Sequence, residues 1–181
     1  MGFAIKDRWK RTMEYIRAIK ALWENDPAGF EGEHISFPPI HLYPKPVQQP
    51  RLPILIGSGG PGLNNQYALR RVAEHCDGWI PCFLTPDEMK AEMNVLRGYC
   101  AEASRDFDKM DISIVMPAAN LGVGEMFDSA GALDGTPQDA KRLIADYEAA
   151  GCHRMVVGLV DLTHENYVSV LTTAAKGLGL I

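Results

Sequence analysis

Between Trp9 and Trp23 apolar residues return every third or fourth position, at Trp9, Met13, Ile16, Ile19 and Trp23, with Lys and Arg between them. That period lays a stripe along one side of a helix and predicts a helix over Ile5 to Glu24. Asn25-Asp26-Pro27 ends it, because the residue before a proline is pushed out of helical geometry. The pattern then breaks up. From Ala28 to Leu52 the chain carries Pro38, Pro39, Pro44, Pro46 and Pro50. Glu31-Gly32-Glu33 reads as a tight turn and His34 to Phe37 as a short extended piece, so this Pro-rich stretch is expected to be an insertion carrying a small hairpin.

Beyond it, short continuous apolar runs take turns with longer periodic ones. Buried strands are predicted at Ile54 to Ile56, Gly78 to Pro81, Ile112 to Met116 and Met155 to Leu159, and helices at Leu63 to His75, Thr85 to Ser104, Thr136 to Ala150 and Thr163 to Gly177. Two helix starts resemble each other, Thr85-Pro86-Asp87-Glu88 and Thr136-Pro137-Gln138-Asp139, each with a threonine cap, proline at the first helical position and an acid three residues on. Gly151 is placed to close the second as a left-handed cap. Four strands with helical crossovers imply a parallel sheet, hence an α/β class, either barrel-like or doubly wound.

Composition narrows the function. The 181 residues suit one domain with a real core. Lys and Arg number 18 against 23 Asp and Glu, a net charge of -5 with no basic run, which speaks against nucleic acid. No apolar stretch approaches the ~20 residues of a bilayer span, and no leader pattern or myristoylation motif is found, so a cytoplasmic protein without membrane attachment is expected. Cys76, Cys82, Cys100 and Cys152 form no C-x-x-C pair and are expected to be reduced and buried. With His34, His41, His75, His153 and His164 they give no metal-ligand spacing, so no metal is expected.

The chemistry concentrates in Pro53-Ile54-Leu55-Ile56-Gly57-Ser58-Gly59-Gly60-Pro61-Gly62, a strand running into a turn with four glycines. In either α/β architecture ligands bind at the carboxyl ends of strands, where this turn falls. Glycines allow a sharp turn by themselves. They also expose bare N–H groups at a helix start, where the dipole favours a phosphate. The spacing satisfies G-x-G-x-x-G, but the acid about twenty residues on, Asp77, precedes Trp79 instead of ending a second strand, and Pro61 interrupts the turn; no Gly-Lys-Ser/Thr follows, so it is not a P-loop either. Trp79 can cover a flat ring or pack in the core. No Ser-His-Asp set, Cys-His pair or carboxylate pair assembles from the order of residues, and no catalytic residue is assigned.

Four segments in order, RWKRTMEYIRAIKALWENDPAGFEGEHISF, YPKPVQQPRLPILIGSGG, LRRVAEHCDGWIP and LDGTPQDAKRLIADYEAAGCHRMVVG, resemble the luciferase-like monooxygenase family. Pro-Lys-Pro before Pro-Ile-Leu-Ile-Gly is the most specific part, and its style is closest to the branch using the deazaflavin coenzyme F-420, although users of flavin mononucleotide (FMN) share most of it. The resemblance implies a partial TIM-type (β/α)8 barrel, a single domain over 1–181 that lacks the N-terminal half of the family barrel. It implies that Gly57, Ser58, Gly59 and Gly60 cradle the phosphate of coenzyme F-420 or FMN, and that a small-molecule substrate undergoes hydride transfer or monooxygenation through the cofactor. The run from Val123 to Gly131 looks like an irregular substitute for the loop after the family's seventh strand. Two functions follow: an oxidoreductase, or a non-catalytic remnant that binds cofactor or only self-associates. Four parallel strands leave two open edges and an open inner face, so a homodimer or higher homo-oligomer is expected.

Overall fold

The computed structural model describes residues 5–59, 65–117, 137–158 and 167–178, which fall in two compact units, Met1–Pro53 and Ile54–Ile181.

In the first unit a single 3-10 turn, Ile5–Asp7, leads into α1 (Arg8–Glu24), followed by an antiparallel hairpin of β1 (Ala28–Glu31) and β2 (Ser36–Ile40). The expected hairpin is present, and its second strand runs on through Pro38 and Pro39, which a strand tolerates at an edge. The buried face of α1 is Met13, Glu14, Ile16 and Ala18, so the predicted stripe is only partly the buried one: Ile19 is 38% exposed. Glu14 is inside because its carboxylate accepts three backbone N–H groups from the hairpin turn, Glu33 at 3.2 Å, His34 at 2.6 Å and Ile35 at 2.8 Å. Burial works against its charge, but these donors outweigh it and hold its pKa below the ordinary glutamate value. Gly32 is required by this arrangement, since a Cβ there would lie 2.6 Å from Glu14 Cδ.

The second unit holds β3 (Leu55–Ile56), α2 (Gln66–His75), β4 (Gly78–Trp79), α3 (Pro86–Glu102), β5 (Asp111–Pro117), α4 (Pro137–Ala150), β6 (Arg154–Gly158) and α5 (Tyr167–Leu178). The strands are parallel in the order β3-β4-β5-β6. Each step is to the next neighbour through a helix, so crossovers of the usual hand put the helices on one face, as in the wall of a barrel. The fold is therefore a four-stranded part of a TIM-type α/β barrel with outer helices, as expected, though β3 and β4 are only two residues long. The predicted helix start at Leu63 and the Thr136 cap lie outside the described residues.

The two faces of β5 differ as period two requires. Ile112, Ile114 and Met116 are buried on the helix side, where Tyr147 of α4 donates its hydroxyl to the Leu84 carbonyl and lies 3.6 Å from Met116 Sδ. On the other face Ser113, fully buried, donates to Asp111 at 2.9 Å, and Arg154 of β6 pairs with Asp111 at 3.0 Å. Along β6 the expectation of burial on both faces fails: Val156, paired with Val115 on the face opposite Ile114 and Met116, remains 41% exposed.

Local signals hold where they are described. Thr85 accepts from the Glu88 N–H at 3.3 Å while Glu88 accepts from the Thr85 N–H at 2.8 Å, a complete capping box. Gly151 has φ +100° at the end of α4. None of the four cysteines is in a disulfide; Cys76, Cys100 and Cys152 are buried and Cys82 is half-buried.

Candidate functional site

At its amino end β3 is clamped by Asp77, whose carboxylate accepts the Ile54 N–H at 2.8 Å while its own N–H donates to the Ile54 carbonyl at 2.8 Å. Asp77 thus sits at the opposite end of the strands from the glycine turn, which removes it from any ribose-binding role. Beside it Gly78 admits close strand approach: a Cβ there would lie 2.9 Å from both Asp111 Cβ and Leu55 Cγ.

At its carboxyl end β3 runs into Gly57, Ser58 and Gly59; Gly60 lies outside the described residues. Gly59 has φ +103°, a conformation L side chains rarely adopt, and a Cβ built on it would come within 2.9 Å of Asn65 Nδ2 and 3.4 Å of Pro81 Cβ. Gly57 carries no such demand, its nearest neighbour being the Ile80 carbonyl at 3.6 Å. Ser58 is fixed by Trp79, whose Nε1–H donates to the Ser58 carbonyl at 3.1 Å and to Oγ at 3.0 Å. Trp79 is fully buried, so of its two readings the structure supports core packing, with the added task of anchoring the turn.

The turn faces the start of α2. Asn65 occupies the cap position, but its side chain makes no capping bond, and no acid stands in the first helical turn. The far end of α2 is neutralised: Arg105 donates to the Ala73 carbonyl at 3.0 Å and the Cys76 carbonyl at 2.5 Å. Neighbouring α3 has Thr85, Asp87 and Glu88 at its start. Thus α2 has a cation at its negative end, and at its start the Asn65 side chain lies against the Glu92 carboxylate of α3, whose pKa burial raises. Backbone N–H groups, a left-handed glycine and a helix start can hold one anionic oxygen cluster such as a phosphate.

The next strand-to-helix loop lies alongside, with Cys82 bridged to Val115 and Phe83 held at φ +58°. Among the described residues there is no group of three or more His, Cys, Asp or Glu that could hold a metal ion, and no helix long and apolar enough to cross a membrane. Asn65 and the Trp79–Ser58 bond were missed by sequence reasoning. The signal for Asn65 was its place as a capping residue type before Gln66, obscured because the apolar pattern starts a helix at Leu63.

A sheet wound in sequential order with its glycine turn at the carboxyl edge defines an α/β protein of the TIM-barrel class. Solved structures agree: an F420-dependent secondary alcohol dehydrogenase superposes with a TM-score of 0.72 at 13% identity, covering 98% of this chain and 64% of that one. The chain belongs to the luciferase-like monooxygenase family, whose profile matches residues 1–121. An uncharacterized protein of Mycobacterium tuberculosis is 37% identical over 101 residues, 54% of this chain and 33% of its own length. The F420-dependent glucose-6-phosphate dehydrogenase of Kineococcus radiotolerans is 38% identical over 65 residues, 36% of this chain and 18% of that enzyme. The FMNH(2)-dependent dimethylsulfone monooxygenase of Pseudomonas putida is 33% identical over 73 residues, 40% and 18% respectively. The match to the first of these relatives thus spans about a third of its length. The family's members are oxidoreductases and monooxygenases that use F420 or FMNH2.

Proposed function

We propose that this chain supplies the cofactor-phosphate cradle of an oxidoreductase that uses coenzyme F-420 or reduced FMN, acting on a small molecule by hydride transfer or monooxygenation. The observation that carries the reading is the bare turn Gly57-Ser58-Gly59 at the carboxyl end of β3, facing the start of α2, whose first turn holds no acid of its own. Gly60 belongs to the same cradle in this reading. Relatives that use F420 and relatives that use FMNH2 both match the chain, which supports the pair of cofactors without choosing between them.

The residues present fit such a group. Gly59 leaves room where a side chain would intrude, the α2 dipole favours the negative charge, and Trp79 holds the Ser58 backbone in place. When bound, the cofactor would supply the hydride or oxygen chemistry; the chain's own part is to grip the phosphate end and position it.

A second reading, self-association through the open sheet, is supported by β6, a terminal strand with Val156 exposed. The two are compatible, since a half-open barrel wall and a phosphate cradle occupy different parts of the sheet.

The test of the cradle is Gly59→Asp, titrated with FMN and with coenzyme F-420. A carboxylate at this position repels the phosphate, and its Cβ crowds Asn65. Loss of binding with helix content retained is expected; unchanged binding would sink the assignment.

A further inference from the structure

In the first unit, residues 40–52 have their side chains sorted in an unusual way. Each titratable group of this stretch is bonded to the carboxyl end of α1. Lys45 donates to the Leu22 carbonyl at 2.7 Å and to the Asn25 carbonyl at 2.6 Å, where a cation suits the helix dipole. Asp26 takes His41 Nδ1 on one oxygen at 2.6 Å and the Tyr43 hydroxyl on the other, and Arg51 pairs with Glu24 at 2.8 Å. The apolar side chains go the other way: Val47 is 89% exposed, Tyr43 66%, Ile40 41%, Leu52 37% and Leu42 36%. Five of the thirteen large apolar side chains exposed among the described residues thus fall in this one stretch. An ordinary surface loop turns its polar groups to water, whereas this one uses them to hold itself in place and leaves its apolar groups outside. Pro44, Pro46 and Pro50 fix three φ angles and remove three N–H donors. The stretch is therefore ordered before anything binds to it, which lowers the cost of binding.

Charge selects the occupant. The chain carries a net charge of -5, so two copies repel each other over much of their surface. No Asp or Glu stands between Glu33 and Glu74, and Lys45 and Arg51 balance Asp26 and Glu24, so this stretch is locally neutral. Two copies can meet here without setting carboxylate against carboxylate. The five exposed side chains offer roughly 500 Å² per copy, so a pair would bury roughly 1,000 Å², the lower bound of a specific interface. We propose that residues 40–52 form a self-association surface, on which a second copy of this chain packs the same residues about a two-fold axis with Val47 and Tyr43 as the apolar anchors. The surface belongs to the first unit, and the cradle and the β6 edge belong to the second, so it depends on neither.

The test is sedimentation velocity on the parent and on Val47→Asp, Val47→Lys and Val156→Lys, from about 1 µM to about 500 µM, the range in which so small an interface should associate. Val47 stands in solvent, so neither of its variants should alter the circular dichroism of the fold. Both are expected to raise the dissociation constant roughly tenfold or more, because each places a charge where a valine would be buried. Val47→Lys also brings the net charge closer to zero, which by itself favours association, so weakening by both signs isolates burial from net charge. Val156→Lys reads the β6 edge separately. Weaker association of both Val47 variants supports the inference whatever Val156→Lys does. Val47 variants that associate like the parent overturn it, and if Val156→Lys then dissociates the assembly, the β6 edge stands alone. A parent that stays monomeric over the whole range overturns both surfaces and leaves the cradle reading untouched.

Discussion

Trp79 joins the core to the candidate site, and Trp79→Phe separates its two tasks. Phenylalanine keeps an aromatic ring in the fully buried position but has no N–H for Ser58. The smaller ring leaves a void of roughly 40 Å³, worth about 1 kcal/mol at the ~24 cal/mol per Å³ that core cavities cost. The lost bond adds about 1 kcal/mol, near the mean for a neutral pair, because Ser58 is only half-buried and water can reach its freed acceptors. The sum, about 2 kcal/mol, is well below the ~5–15 kcal/mol of a typical domain, so the variant should fold. At ~2–4 °C per kcal/mol for a chain of this size, its melting temperature should fall by about 4–8 °C in circular dichroism. FMN affinity should fall as well, because the turn loses the bond that fixes the Ser58 backbone. Ser58→Ala removes one of the two acceptors and keeps the carbonyl, so it should melt close to the parent. A Trp79→Phe protein with parental melting and parental FMN affinity would refute the anchoring argument; reduced melting with unchanged affinity would leave Trp79 a core residue only.

Two further outcomes follow from the rest of the chain. Glu14 has a folded pKa below its unfolded one, so its stabilising effect is complete above about pH 4.5 and disappears as pH falls through the lower folded value; Glu14→Gln should flatten this part of the acid-unfolding curve, and an unaltered curve would remove the carboxylate from the account of the hairpin turn. The open edge of β6 should be covered by a second copy, so light scattering over a dilution series should report a dimer or larger, and a stable monomer at micromolar concentration would refute it.

What was legible in the residues was what depends on near neighbours. The capping box at Thr85 and the left-handed Gly151 are short-range devices, and each is found where its residues stand. Strands β3 to β6 could be located because short apolar runs stand between the periodic helical segments, and in β5 the alternate residues Ile112, Ile114 and Met116 are the buried ones. The stripe of α1 was less faithful for a long-range reason. Glu14 is buried through backbone donors nineteen to twenty-one positions away, and no helical period announces a carboxylate that answers a distant turn.

The same distinction governs the candidate site. Its glycines were visible as composition, but composition does not say which glycine is obligatory; the backbone does, assigning a positive φ to Gly59 and ordinary space to Gly57. Nor does order along the chain reveal that Trp79 reaches back twenty-one positions to Ser58, or that Asp77, twenty residues from Gly57 and so at the spacing of a ribose ligand, is spent at the other end of the strand on Ile54. Parallel strands bring residues one crossover apart side by side, so a spacing of about twenty is shared by ligands and by structural clamps alike. Which of the two a residue is depends on the end of the strand it occupies, and in this chain Ser58 and Asp77 stand at opposite ends.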